Sequence, residues 1–262
     1  MTKILITNDD GYNVEGITRL ADEMRSIGEV IVFAPNRARS GMSAAITSTL
    51  PITYKLHTQR DGLTVYSCSG TPVDCVKLAL NEVLDTKPDI LLSGINHGGN
   101  HALSVHYSGT MGAAFEGCVF DVLSIGVSLF DCLPHSNFSE ACRIARLVVV
   151  EVLKRGLPHG VYLNLNIPAV EHVKGISAAR QTDGKWINEF TRDIAIDGSV
   201  SFMLGGEYSP ATPTASNHVG GFPQNATLTD DLTLLQSGYA TVVPCKVDVT
   251  DYPFAQELSQ WF

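Results

Sequence analysis

The stretch Ile4-Leu-Ile-Thr-Asn-Asp-Asp-Gly-Tyr-Asn-Val-Glu-Gly16 decides the fold. The segment Lys3–Thr7 is a short, nearly continuous apolar run, the mark of a strand buried on both faces. Beyond the polar residues, Val14, Ile17, Leu20, Ala21, Met24 and Ile27 recur at helical spacing, and Gly28 is expected to stop that helix. Residues 30–34 are again apolar and end at Pro35. Strand, helix and strand in so short a span predict a right-handed βαβ unit and a parallel sheet. At the end of the first strand stand Asp9 and Asp10. Adjacent carboxylates closing a buried run repel each other and resist dehydration, so something must offset their charge.

The pattern continues outward. Residues 36–69 are polar and turn-rich, with alternating patches at 52–56 and 63–66 that predict a long loop and then a β-hairpin near residues 50–68. Pro72 suits the first turn of a helix over 73–84, and 89–92 reads as a third buried strand running into Ser93-Gly-Ile-Asn96 and a glycine-rich loop. A helix of small residues is expected around 110–117, a strand over 122–129, an amphipathic helix over 139–154 and a strand over 161–167. After Pro168 glycine, proline and polar residues dominate as far as Asp230, before a late strand over 238–244 and a short C-terminal helix. The expected architecture is a three-layer αβα, Rossmann-like, doubly wound and mostly parallel sheet in residues 1–168. Residues 169–262 form a β-rich C-terminal part.

Composition narrows the function classes. With 44% hydrophobic and 17% charged residues in a chain of 262, a sizeable core is expected and global disorder is not. The net charge of −9 and the absence of a Lys/Arg stripe argue against DNA or RNA as the main partner. The six cysteines include no C-x-x-C, so reduced thiols in a cytoplasmic protein are expected, and the opening strand leaves no room for a targeting segment. No apolar run approaches the roughly 20 residues that span a bilayer, so no membrane partner is expected. The sequons at Asn137 and Asn225 are accordingly read as chance.

Ligands of an open parallel sheet bind beyond the carboxyl ends of its strands. After the first strand come Asn8, Asp9, Asp10 and Gly11; after the second, the loop bearing Ser40-Gly41-Met42-Ser43; after the third, Asn96 and the loop to Asn100. Carboxylates, a hydroxyl and a carboxamide are hard oxygen donors that suit Mg²⁺, Mn²⁺ or Ca²⁺, and such a cation would cancel the repulsion between Asp9 and Asp10. Both carboxylates can converge only if the chain leaves the strand there, a turn Gly11 permits. The alternative is that they cap the helix that follows. Downstream, Ser108-Gly109-Thr110 leads into a helix and offers hydroxyls and backbone N–H groups to an anion or phosphate. His97, His101 and His106 fall close together, but the i,i+4 pair His97/His101 spans a Gly-Gly-Asn stretch not expected to be helical and no third zinc-ligand type is evident, so they read as loop histidines. No G-x-G-x-x-G follows the first strand, and neither a Walker A motif nor a G-x-S-x-G elbow is present.

Taken in order, several motifs make the chain resemble the SurE family, the stationary-phase survival proteins. They are Ile4-Leu-Ile-Thr-Asn-Asp-Asp-Gly11, the Ser40-Gly41 loop ending in Ile46-Thr47, Gly70-Thr-Pro-Val-Asp-Cys-Val-Lys-Leu-Ala79, Ser93-Gly-Ile-Asn96 with Asn100, and Tyr107-Ser-Gly-Thr110 through Glu116-Gly117. Leu163-Asn-Leu-Asn-Ile-Pro168 and Gly238-Tyr-Ala-Thr-Val-Val-Pro244 look like later landmarks, and the likeness thins between Gly175 and Thr229. The chain departs from the usual pattern at Asn100-His-Ala-Leu-Ser-Val-His106. The resemblance implies a metal-dependent 5′(3′)-nucleotidase, with one Mg²⁺ or Mn²⁺ per subunit on Asp9, Asp10, Ser40 and Asn96. It implies a phosphate pocket of Asn100, Ser108, Gly109 and Thr110, next to Asn8. Nucleoside monophosphates are the implied substrates, with polyphosphate as an additional one, and homodimers or homotetramers form through the C-terminal part. Asp9, Asp10, Asn100 and Ser108 are the expected catalytic residues; which Asp handles the proton, and whether an aspartyl-phosphate forms, stays open. A non-catalytic nucleotide or polyphosphate sensor is the alternative use of the same pocket.

Overall fold

A computed structural model describes residues 1–130, 136–211 and 227–262. In chain order the elements begin with β1 (Lys3–Thr7), α1 (Glu15–Met24), β2 (Glu29–Pro35), β3 (Tyr54–Arg60), β4 (Leu63–Cys68) and α2 (Pro72–Leu78). They continue with β5 (Ile90–His97), α3 (Ser104–Tyr107), α4 (Gly109–Val119), β6 (Leu123–Phe130), α5 (Ser139–Arg155) and β7 (Val161–Pro168). Last come β8 (Ile176–Ala178), β9 (Gly184–Ile187), β10 (Phe190–Ile194), β11 (Val200–Leu204), β12 (Glu207–Pro210), α6 (Asp231–Gln236), β13 (Ala240–Lys246) and α7 (Tyr252–Leu258).

Nine strands form one sheet in the order β3-β4-β2-β1-β5-β6-β7-β13-β8. From β4 to β7 every neighbour runs parallel, while β3 and β13 enter antiparallel. Alternation along each central strand sends residues to opposite faces. Ile4, Ile6, Ile90 and Leu92 pack with α1 and α5, whereas Leu5, Leu91 and Phe33 pack with Val76 and Ala79 of the second helix layer and with Ala113 of α4. This is the three-layer, mostly parallel αβα sheet that the apolar runs predict. After β1 the chain first winds toward β2 and then returns to lay β5 on the other side, so the winding reverses between β1 and β5.

Several boundaries differ from the sequence expectation. The third strand does not end at 92 but runs to His97, which places Asn96 on the strand; its pairing with β6 shifts register between Ser93 and Asn96. The helix expected over 73–84 is α-helical only to Leu78 and then widens into a π-helical turn, Ala79–Val83. The first helix ends at Met24, before Gly28. The short α3 and α6 lacked a periodic signature because neither is longer than six residues. In the C-terminal part, β13 and β8 continue the main sheet, while β9 pairs with β12 and β10 with β11 in separate ribbons. Cys132, His135, His218 and Asn225 lie outside the described residues, as does much of the glycine- and proline-rich stretch before Asp230. Among the described residues, Cys68, Cys75, Cys118, Cys142 and Cys245 are free thiols. No helix among those residues is long and apolar enough to cross a membrane.

Candidate active site

The reversal between β1 and β5 is where ligands of such sheets bind. Here β1 stops at Thr7 and the chain turns: Asn8 Nδ2 donates to Gly11 O at 2.9 Å, and Asn8 Oδ1 accepts from Gly11 N at 3.0 Å. Gly11 holds a φ of +120°, a conformation in which a side chain would be strained. Asn8 is fully buried and makes this turn rather than lining the cleft. The turn brings Asp9 and Asp10 into one cleft, where a continuing strand would have pointed them to opposite faces.

Asp9 is 4% exposed. Its Oδ1 accepts from Thr110 Oγ1 at 2.8 Å. Burial, and then the neighbouring Asp10 charge, push its carboxyl up to about 6 against the hydrogen bonds from Thr110. Asp10 Oδ2 accepts from His97 N at 3.3 Å and lies 3.1 Å from His97 Nδ1. Neither carboxylate caps α1, whose N-cap is Val14 with no side-chain bond. Asp9 instead meets the first turn of α4. There Thr110 is fully buried, and a Cβ on Gly109 would come within 3.0 Å of the Asp9 Cβ. Gly109 and Thr110 therefore brace Asp9 rather than line the cleft.

Ser40, Asn96, Asn100 and Ser108 join Asp9 and Asp10 around a cleft of about 480 Å³. Asn96 Nδ2 donates to Gly98 O at 2.8 Å, which leaves its carbonyl oxygen as the group suited to a cation. Asn100 is pinned at three points. Its N donates to Asn166 Oδ1 at 2.7 Å, its Nδ2 to Ser128 Oγ at 2.8 Å, and its O accepts from Asn164 Nδ2 at 2.7 Å. Ser108 caps α4, its Oγ accepting from Met111 N at 3.1 Å, so the hydroxyl proton stays available to a ligand.

The three histidines do not converge. His97 sits on Asp10, His101 is buried against Phe130, and the backbone of His106 accepts from Ser43 Oγ. Among the described residues no group of three His, Cys, Asp or Glu could hold a metal. A cation on the Asp pair would therefore depend on the neutral oxygens of Ser40 and Asn96. The donor set fits a hard cation: Asp9, Asp10, Ser40 and Asn96 offer oxygen atoms, and among the described residues no Lys or Arg lines the cleft.

Some of the surroundings carried no expected role in the sequence. Asn164 and Asn166 are fully or almost fully buried amides at alternate positions of an apolar strand, a signal that was legible. Trp186, Glu189, Leu204 and Gly205, which form one wall, come from the weakly patterned C-terminal part. Asp231 is fully buried and accepts from Ala102 N at 2.9 Å across 129 residues, a distance no local pattern spans.

The fold and this cleft define a doubly wound α/β protein with an acidic, oxygen-donor ligand site at its topological switch point. The family model described as Survival protein SurE matches residues 4–188. The chain belongs to the SurE family. It is 43% identical over 98% of its length to a protein of Phocaeicola vulgatus named 5′-nucleotidase SurE, covering 96% of that protein. A 5′-nucleotidase SurE of Bacteroides fragilis is 41% identical with the same coverage of both chains. The crystal structure of the SurE protein from Aquifex aeolicus superposes with a TM-score of 0.79 at 32% identity, covering 99% of both chains.

Proposed function

We propose that this chain is a metal-dependent phosphomonoesterase that converts nucleoside 5′- and 3′-monophosphates to nucleoside and phosphate. One Mg²⁺ or Mn²⁺ per subunit would be held by Asp9, Asp10, Ser40 and Asn96. The nucleotidase class rests on the family and on the names of its relatives. The observation that carries the metal is the cleft's charge: Asp9, Asp10 and Glu189 with, among the described residues, no Lys or Arg give a phosphate dianion no reason to enter alone. When bound, the cation supplies the positive charge that draws in the phosphate and polarises it for attack by water.

The side chains divide the remaining work. Asp9 and Asp10 hold the cation, and Thr110 fixes the orientation of Asp9. Ser108 donates its hydroxyl proton to a phosphate oxygen, with the N-terminus of α4 behind it. Asn100, immobilised by Asn164, Asn166 and Ser128, orients the same group. The end of a polyphosphate chain presents the same terminal phosphate and is a second substrate of this reading. Assembly through residues 169–262 is part of the proposal, supported by the exposed Phe190, Ile194, Phe202, Met203 and Leu204 of β10 and β11. A cytoplasmic location belongs to it too.

The test is phosphate release from nucleoside 5′- and 3′-monophosphates and from polyphosphate, with chelator and with each metal restored. Activity should vanish with chelator and return with Mg²⁺ or Mn²⁺; undiminished turnover without metal overturns the reading. Asp9→Asn should abolish turnover in a folded protein. Tight nucleotide binding without phosphate release would make the chain a sensor instead.

A further inference from the structure

The cleft has two chemically different ends. The sheet side supplies Asp9, Asp10, Ser40 and Asn96, while the C-terminal part supplies Trp186, Glu189 and Leu204. We infer that Trp186 is the stacking platform for the heteroaromatic base of the substrate. It would make the enzyme prefer base-bearing phosphomonoesters over base-less ones. The inference rests on the nucleotidase reading and deepens it.

Trp186 is half-buried on β9 and pairs across the ribbon with Tyr208 of β12. Their rings lie 5.8 Å apart at 78°. The Tyr208 hydroxyl donates to Thr182 O at 3.1 Å, and its ring meets His101 at 5.9 Å and 77°. His101 in turn meets Phe130, at the end of β6, at 5.0 Å and 87°. Three edge-on contacts thus connect the indole to the central sheet, through the residue that follows Asn100. A platform braced this way loses little freedom when a ligand settles on it.

Every contact in this series is steep, and among the described residues no ring stacks parallel on Trp186. A large indole therefore borders an acidic cleft with no offset-stacked partner of its own among the described residues, the kind of surface a flat ligand covers. Charge fixes the direction of that ligand. Glu189 in the Trp186 wall repels a phosphate, and the cation proposed for Asp9 and Asp10 would attract one, so the dianion belongs at the Asp9–Asp10 end and the uncharged base at the indole. An inorganic polyphosphate has no uncharged π-face to offer.

The experiment compares kcat/KM on 5′-AMP and on ribose 5-phosphate for the wild-type protein, Trp186→Ala and Trp186→Phe. Trp186→Ala should lower the 5′-AMP to ribose 5-phosphate ratio by about 5- to 100-fold, the size of one base–aromatic stack, mainly through KM on 5′-AMP. Trp186→Phe should recover most of the ratio. An equal loss on both substrates would make Trp186 a structural brace, and no change in the ratio would remove it from base binding; either overturns the inference. If the wild type releases phosphate from neither substrate, the nucleotidase reading falls. The stack is then read by fluorescence with the cation present. Quenching by 5′-AMP, weaker with ribose 5-phosphate and lost in Trp186→Phe, upholds it; equal quenching by both, or none, overturns it.

Discussion

Replacing Asp231 with Asn keeps the volume of a fully buried side chain and changes only what it can accept. In the native protein Oδ2 accepts from Ala102 N at 2.9 Å. Oδ1 accepts from Thr182 N at 3.0 Å, Thr182 Oγ1 at 2.5 Å and Leu232 N at 2.9 Å. An amide oxygen in the Oδ1 position keeps those partners, but the NH₂ group then faces the Ala102 N–H, donor against donor. The loss is one charge-assisted hydrogen bond plus a stranded buried N–H, together about 3 kcal/mol. For a chain of this size that corresponds to a Tm about 6–12 °C lower. Urea denaturation should show the midpoint falling with the slope unchanged. Ala102 sits at a φ of +51°, a conformation costly for a residue with a Cβ and sustained here by the Asp231 contact. Its release should loosen the neighbouring Asn100 and lower kcat as well. A stability change below about 0.5 kcal/mol, with kcat intact, would show that the loop and the C-terminal part are held independently, refuting the argument.

Three further changes probe other parts of the structure. Gly112→Ala would place a Cβ 2.2 Å from Ser43 O and 2.7 Å from Ser43 C, wedging the Ser40 loop away from α4. The expected loss is about 1–3 kcal/mol of stability, together with a higher Mg²⁺ or Mn²⁺ requirement in an activity titration; an unmoved metal midpoint would contradict the wedge. Asn166→Ala removes the acceptor of Asn100 N and should lower kcat by up to about 100-fold, as steady-state kinetics on 5′-AMP would show. Glu140 accepts from Arg143 Nε at 2.7 Å and Val173 N at 3.0 Å, and the Arg143 hydrogen bond foremost holds its carboxyl down at about 2 against an ordinary 4.5. Its folded-state value is depressed, so its contribution is complete above pH 4.5 and fades as the pH falls toward 2. Wild type should exceed Glu140→Gln by about 1 kcal/mol at pH 7, and denaturation across that range should show the gap narrowing.

The central strands were legible because a parallel strand covered on both faces has to be apolar through its middle, and the runs at 4–6 and 30–34 are. The end of β5 was not, since Ser93, Gly94 and Asn96 read as a loop while their pairing with β6 continues around a register shift. The small ribbons β9–β12 and β10–β11 are short, and β10 and β11 are exposed along their whole length, so they lack the alternation that marks a half-buried strand. At the site, Asp9, Asp10, Ser40 and Asn96 could be read because strand ends collect ligand groups and those groups lie close to their strands in sequence. Their supports could not. Thr110 reaches Asp9 across 101 residues and Asp231 reaches Ala102 across 129, and only the folded sheet brings such partners together.

The position of β13 bears on how the protein is made. This strand lies between β7 and β8, and Asp231, which ties down the loop beside Asn100, precedes it by less than ten residues. A ribosome delivers both only after most of the chain has emerged. Until then β7 shows an unpaired edge, a template for other strands, although Asp9, Asp10, Ser40, Asn96 and Ser108 have all been synthesised. Arrival of the last strand seals that edge and anchors the cleft in the same event. A nascent or truncated chain therefore carries the hazard of an open sheet without a fixed cleft, and the finished chain loses the first as it gains the second.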